Sequence, residues 1–181
     1  MHRTDWIFGY GSLMWDPGFA PCESLRARLP GYARSFCLRS VQHRGTTARP
    51  GLVLGLDADA GADCRGLALR IAPEDHDEVL AYLRARELVT DAYREAVVTV
   101  ALEDGRHVEA LTYVMRRDHW QYAGGLPLPD QARMIAGAVG GRGPNADYLF
   151  NTAEHLAQIG MADPLLDELA ACVRKLLENS A

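Results

Sequence analysis

The sequence predicts an α+β protein, and three observations carry that expectation. Short apolar runs, parted by glycine, proline and aspartate clusters, fill the first half of the chain as strands do. One stretch of helical spacing interrupts them and strand-like alternation then resumes. Helical spacing takes over the last third. Strands and helices that segregate along a chain, rather than alternating regularly, favour α+β over a doubly wound sheet.

Trp6-Ile7-Phe8-Gly9 reads as a buried first strand that ends at Tyr10-Gly11-Ser12-Leu13. Met14-Trp15-Asp16-Pro17-Gly18-Phe19 cannot continue it past the proline. Apolar runs at 34–38, 51–56 and 66–71 read as further strands. The acidic, glycine-bearing segment 57–63 reads as a turn that makes the last two hairpin neighbours. Pro73, Glu74 and Asp75 mark a helix start, since proline is tolerated in the first turn and acids suit its positive end. Val79, Leu80 and Leu83 then share one face, and Glu87 falls one turn beyond Leu83 on that same face. Asp77 and Arg84 mark the solvent side. Alternation returns at 96–102 and 108–114, with a hairpin turn at 103–106. A polar loop over 116–129 leads into Ala132-Ile135-Ala136-Val139, Tyr148-Leu149-Thr152 and Leu165-Leu166-Leu169-Val173-Leu176, each at helical spacing. With 181 residues and no internal repeat, a single domain over 1–181 is expected.

Composition narrows the function. A hydrophobic content of 48% is that of a globular protein, and a net charge of -5 leaves no basic surplus for phosphates, so nucleic acid is not expected as a partner. Arginines cluster locally at 26 and 28, 34 and 39, and 84 and 86, which suits a small anionic ligand. No apolar stretch approaches the about 18 residues of a membrane span, and the opening residues show no secretory apolar region. The four cysteines form no CxxC and read as reduced thiols of a cytoplasmic protein, mostly core filler. The six histidines show no HxxxH spacing, so no metal is expected. Gly9-Tyr10-Gly11-Ser12-Leu13-Met14 lacks the third glycine of a dinucleotide fingerprint, and 137–143 lacks the Lys-Ser/Thr of a phosphate-binding loop. Ser12 does not sit in GxSxG. No cofactor is therefore expected, and the arginine clusters suit a small-molecule anionic ligand as partner.

A strand closing on two glycines and a serine presents backbone N–H groups at a sheet edge, where they can receive a carboxylate or a developing oxyanion. A tight turn without a ligand fits the same residues. The run Phe8-Gly9-Tyr10-Gly11-Ser12-Leu13, with Trp15 and Pro17-Gly18-Phe19, resembles the opening of the ChaC family of γ-glutamylcyclotransferases, which act on glutathione. Four further blocks resemble that family in its own order. They are Ser40-Val41-Gln42-His43-Arg44-Gly45 with Pro50-Gly51; Tyr82-Leu83-Arg84-Ala85-Arg86-Glu87; Leu126-Pro127; and Gly141-Arg142-Gly143-Pro144-Asn145-Ala146-Asp147-Tyr148-Leu149.

The resemblance implies a small mixed β-barrel with helices packed around it. It implies cleavage of the γ-glutamyl bond of reduced glutathione by intramolecular aminolysis, giving 5-oxoproline and Cys-Gly. Glu87 takes the place of the general acid/base, and Tyr10, Gly11, Ser12 and Leu13 that of the γ-glutamyl receptor. Arg44 would face the substrate's glycine carboxylate, or close its own loop through an internal acid. Tyr148 would bond substrate or orient Glu87, or simply pack its helix. Asn145 reads as a helix cap. Asp91 stands where many family members carry glycine, which puts the backbone freedom of that loop in question. Two other functions stay open: cyclotransfer on other γ-glutamyl amino acids or amines, and a non-catalytic module that binds γ-glutamyl ligands.

Overall fold

A computed structural model describes residues 4–180, so the first three residues of the opening segment lie outside the described residues. Five strands close into a mixed barrel, as the family resemblance implied: β1 (Trp6–Gly9), β2 (Glu23–Ser40), β3 (Gly51–Arg70), β4 (Tyr93–Leu102) and β5 (His107–Met115). Their order around the barrel is β1-β3-β2-β4-β5. β1 runs antiparallel to β3 and parallel to β5, whereas β4 is antiparallel to both β2 and β5. Four helices complete the fold: α1 (His76–Glu87), α2 (Leu128–Gly137), α3 (Asn145–Gln158) and α4 (Pro164–Glu178). None of the described helices is long and apolar enough to cross a membrane.

The described residues form two compact units, one from 4–34 with Leu56–His119, the other from Ser35–Gly55 with 120–180. In the first unit the alternation of β1 sorts its side chains, because successive residues of a strand point to opposite faces. Trp6 and Phe8 join Ala27, Leu29, Cys64 and Val100 in one core cluster. Ile7 points the other way, into a second cluster where Leu69, Leu111 and Tyr113 meet Val79 and Leu83 of α1. β1 is therefore buried on both faces, and α1 is held by its apolar stripe. Leu83 is completely buried, which contributes about 1.5–3 kcal/mol. The expected turn at 103–106 joins β4 to β5, with Gly105 at φ 91.

Three strand-level expectations are corrected. The segment 57–63 is not a turn: it lies inside β3, so 51–56 and 66–71 belong to one strand. Its acidic residues are matched from elsewhere, Asp63 by the Arg28 Nη1 of β2 at 2.8 Å and Asp57 by the Arg117 Nε at 2.8 Å. Likewise β2 begins at Glu23 rather than at 34, running through Pro30-Gly31 because Gly31 takes φ 82 and absorbs the irregularity. Val139, expected on a helix, instead pairs with Pro144 in a two-residue hairpin of β6 (Val139–Gly140) and β7 (Gly143–Pro144), and is exposed.

In the second unit α4 packs against both α2 and α3, presenting Leu166, Leu169 and Val173 at the predicted spacing. Asp163 caps α4, its carboxylate accepting from the Leu165 and Leu166 amides. The cysteines are free thiols; Cys37 and Cys64 are buried as expected of core filler, Cys172 is half-buried, and Cys22 is exposed.

Candidate functional site

In the first unit, β1 ends in a 3-10 turn over Ser12–Met14. Leu13 and Met14 are buried and pin the turn, while Ser12 is exposed. The first internal bond of the turn runs from the Met14 amide to the Gly11 carbonyl at 2.9 Å. The amides of Ser12 and Leu13 precede it and are left over from the turn's own bonding. The carbonyl of Tyr10 accepts from the buried Arg34 Nε at 2.7 Å, and Arg34 also donates to the carbonyl of Arg65. In a trans peptide C=O and N–H point in opposite directions, so the Gly11 amide is turned away from Arg34.

The last turn of α1 is bound to this segment by Arg86. Its Nη2 donates to the Ser12 hydroxyl at 2.9 Å, and its Nη1 donates to the Asp16 carbonyl at 2.7 Å and the Tyr82 hydroxyl at 3.3 Å. The same guanidinium pairs through Nε with the Glu87 Oε1 at 3.2 Å. One guanidinium thus bridges Glu87 and the Ser12 hydroxyl. Gly18 completes the seat: it takes φ 78, and a Cβ placed there would stand 2.2 Å from the Tyr82 hydroxyl.

Glu87 is the electrostatically unusual acid here. Its side chain is only 19% exposed, and burial raises its pKa above the ordinary carboxylate value, opposed by the charge of Arg86. Behind it the Tyr113 phenol is pushed well above its usual range, first by burial and then by the carboxylates of Glu95 and Glu87, so it stays a proton donor. Tyr113 donates to the Glu95 Oε1 at 3.4 Å, and Arg84 grips both oxygens of Glu95 at 2.8 and 3.2 Å. The loop after Glu87 needs no glycine: among the described residues no non-glycine has positive φ, Asp91 included.

In the second unit, Arg44 and Tyr148 come together. The Arg44 guanidinium lies 5.5 Å from the Tyr148 ring centroid, and its Nη1 donates to the carbonyls of Arg142 and Pro144 at 2.8 and 3.2 Å. Arg44 therefore ties its loop to backbone carbonyls rather than to an internal acid, and its Nε and Nη2 have no protein partner among the described residues. The Tyr148 hydroxyl accepts from the Leu54 amide at 3.3 Å, and its ring meets Phe36 edge-on at 5.7 Å. The two blocks around them interlock, the amides of Gly141 and Arg142 bonding the carbonyls of Gln42 and His43 at 2.7 and 2.8 Å. Asn145 does not cap α3. It is fully buried and bonds both backbone groups of Leu52 at 2.7 Å each, because strand backbone between its pairing partners must be satisfied.

Sequence reasoning singled out Glu87 and the Tyr10–Leu13 segment but missed Arg86, Arg34 and Tyr113 as parts of this site. The two arginines showed only as members of local clusters; the usable signal was Arg86 one helical turn after Tyr82 and directly before the acid.

The sequence model of the ChaC-like protein family matches residues 5–176. The glutathione-specific gamma-glutamylcyclotransferase of Escherichia coli is 40% identical over 175 residues, spanning 97% of this chain and 75% of its own. Gamma-glutamylcyclotransferase 2-3 of Arabidopsis thaliana is 38% identical, spanning 97% of this chain and 91% of its own. The crystal structure of a glutathione-specific γ-glutamylcyclotransferase from yeast superposes with a TM-score of 0.81 at 26% identity, over 95% of this chain and 98% of that one. The protein belongs to the ChaC-like family.

Proposed function

We infer that this protein is a glutathione-specific γ-glutamylcyclotransferase, releasing 5-oxoproline and Cys-Gly. The Escherichia coli relative and the yeast structure named above are both described as γ-glutamylcyclotransferases specific to glutathione. The observation that carries the chemistry is a half-buried Glu87 held one guanidinium away from the turn that follows β1.

The substrate supplies its own nucleophile. Its α-amine attacks its γ-carbonyl carbon, closes the five-membered lactam and expels the amine of the cysteine residue. The protein must fold the glutamyl arm into attack geometry, which is the proximity contribution. It must also take a proton from the α-ammonium, steady the oxyanion, and return a proton to the leaving amine. Glu87 does the proton work: as carboxylate it accepts the ammonium proton, as acid it delivers that proton to the departing nitrogen, and it then takes the second proton from the ring nitrogen and passes it to the freed amine, which leaves as an ammonium. Its raised pKa makes it a better base than an exposed glutamate, and a positioned acid–base group contributes about 10²–10⁴-fold.

The amides of Gly11, Ser12 and Leu13 receive the γ-glutamyl group, together with the Ser12 hydroxyl and the backbone of Tyr10. Supporting this, Leu13 is anchored in the core while Ser12 stands exposed, so backbone donors are fixed before substrate arrives. Arg44 serves the glycine carboxylate with its Nε and Nη2 edge, which no described residue engages, and Tyr148 sets the plane of that guanidinium. We read the whole chain as one catalytic domain, since one family model matches residues 5–176 without a break. The free thiols fit a reducing, cytoplasmic setting.

The test is mass-spectrometric detection of 5-oxoproline and Cys-Gly after incubating the purified protein with reduced glutathione. Glu87→Gln, which keeps volume and removes basicity, is expected to lower turnover by at least about 10²-fold while substrate still binds. Undiminished product release by that variant rejects the assignment. Competition between glutathione and γ-glutamyl-alanine separates glutathione from other γ-glutamyl substrates. Calorimetric binding without product would identify a binding module instead.

A further inference from the structure

We propose that Arg86 is a positioning residue for Glu87: its guanidinium latches the last turn of α1 onto the 12–16 segment and holds the Glu87 carboxylate in place. This rests on the reading of Glu87 as the acid–base group. Four contacts of one side chain carry it, to the Ser12 hydroxyl, the Asp16 carbonyl, the Tyr82 hydroxyl and the Glu87 carboxylate. A planar fork can reach several acceptors in fixed directions at once; a lysine ammonium at the end of a flexible stem cannot. The Arg86 side chain is 22% exposed, so these bonds are made largely out of water.

The charges around Glu87 give the latch a second consequence. From its own helix it faces Arg86, and from β5 it faces the neutral Tyr113 phenol. Glu95 of β4, the next acid inward, is already neutralised by the bidentate Arg84. Burial favours the protonated form of Glu87, and Arg86 is the cation that opposes it. Without Arg86 the protonated form of Glu87 would be favoured further, leaving less carboxylate to accept a proton from the substrate ammonium. The carboxylate would also lose the strut that fixes its distance from the receiving turn.

The experiment is kcat/KM for glutathione from pH 5 to 9 in the parent, Arg86→Gln and Arg86→Lys, with Glu87→Gln as reference. Arg86→Gln is expected to move the acid limb to higher pH by about one unit, so that the loss is about tenfold on that limb and shrinks as pH rises. Arg86→Lys keeps the charge and loses the fork, so its acid limb stays near the parent's while KM rises severalfold. A purely structural role would instead lower activity evenly at every pH. A pH profile of Arg86→Gln parallel to the parent's overturns the proposal, provided Glu87→Gln is inactive. If Glu87→Gln turns over normally, the acid–base reading itself has failed. Should Arg86→Gln not fold, Arg86→Lys decides: unchanged KM and kcat overturn the latch.

Discussion

Replacing Asn145 by alanine should be among the most damaging single changes in the molecule. The side chain is completely buried, and its Oδ1 and Nδ2 bond the amide and the carbonyl of Leu52, each at 2.7 Å. Alanine deletes both partners at once and leaves two backbone groups buried without water. Each buried orphan costs about 1–3 kcal/mol, so the expected loss is about 2–6 kcal/mol, against a total stability of about 5–15 kcal/mol for a domain. Asn145→Asp tests the same account from the other side. It keeps an acceptor for the Leu52 amide but sets a carboxylate oxygen against the Leu52 carbonyl, so it should be no milder than alanine. Tyr148, one helical turn later, bonds the Leu54 amide two residues along the same strand, and both variants should loosen it. Urea unfolding followed by circular dichroism gives the difference directly, provided the m-value is unchanged. A loss below about 1 kcal/mol for Asn145→Ala would refute the reasoning that these two bonds have no substitute.

Gly18→Ala should destabilise through its positive φ by about 1–2 kcal/mol and displace Tyr82, whose hydroxyl occupies the site of the new Cβ. A thermal melt and the KM for glutathione check it, with a lowered Tm and a raised KM expected. Glu87→Gln should be at least as stable as the parent at pH 8 even while inactive. The sign follows from the raised pKa: the folded state binds this proton more tightly than the unfolded chain, so the ionised group weakens the fold as pH rises through the folded-state pKa. Thermal melts at pH 4 and pH 8 should show the advantage of the variant at pH 8 shrinking at pH 4; a variant less stable than the parent at pH 8 contradicts this.

What was legible in the sequence follows from what periodicity can encode. The 3.6-residue spacing of Val79 and Leu83 places Glu87 on the inward face without any tertiary knowledge, and the alternation in 96–102 and 108–114 gives a hairpin that the structure confirms. Local signals failed where distant partners overruled them. Residues 57–63 look like a turn because aspartate, alanine and glycine are poor strand formers, yet Arg28 and Arg117 neutralise the two ends of the run within a continuous strand. Asn145 looks like a cap because caps are local, whereas its true partner lies 93 residues away. Arg86 was hidden for a related reason. Spacing says which face a side chain leaves from, but not which of several acceptors within reach a long guanidinium will choose.

The reaction explains why so few residues suffice. Because amine and carbonyl arrive on one arm of the substrate, no protein nucleophile is needed, and the difficult requirement is a base that is strong enough yet still unprotonated at the working pH. A carboxylate exposed to water fails the first condition, and one buried alone fails the second. Glu87 is pulled in both directions, upward by burial and downward by Arg86. On the reading proposed above, exposing Glu87 weakens the base, and removing Arg86 favours its protonated form. Activity should therefore fall on either side of the native arrangement, and for different reasons at different pH, which is the behaviour expected of a group whose surroundings set its pKa for catalysis rather than for stability.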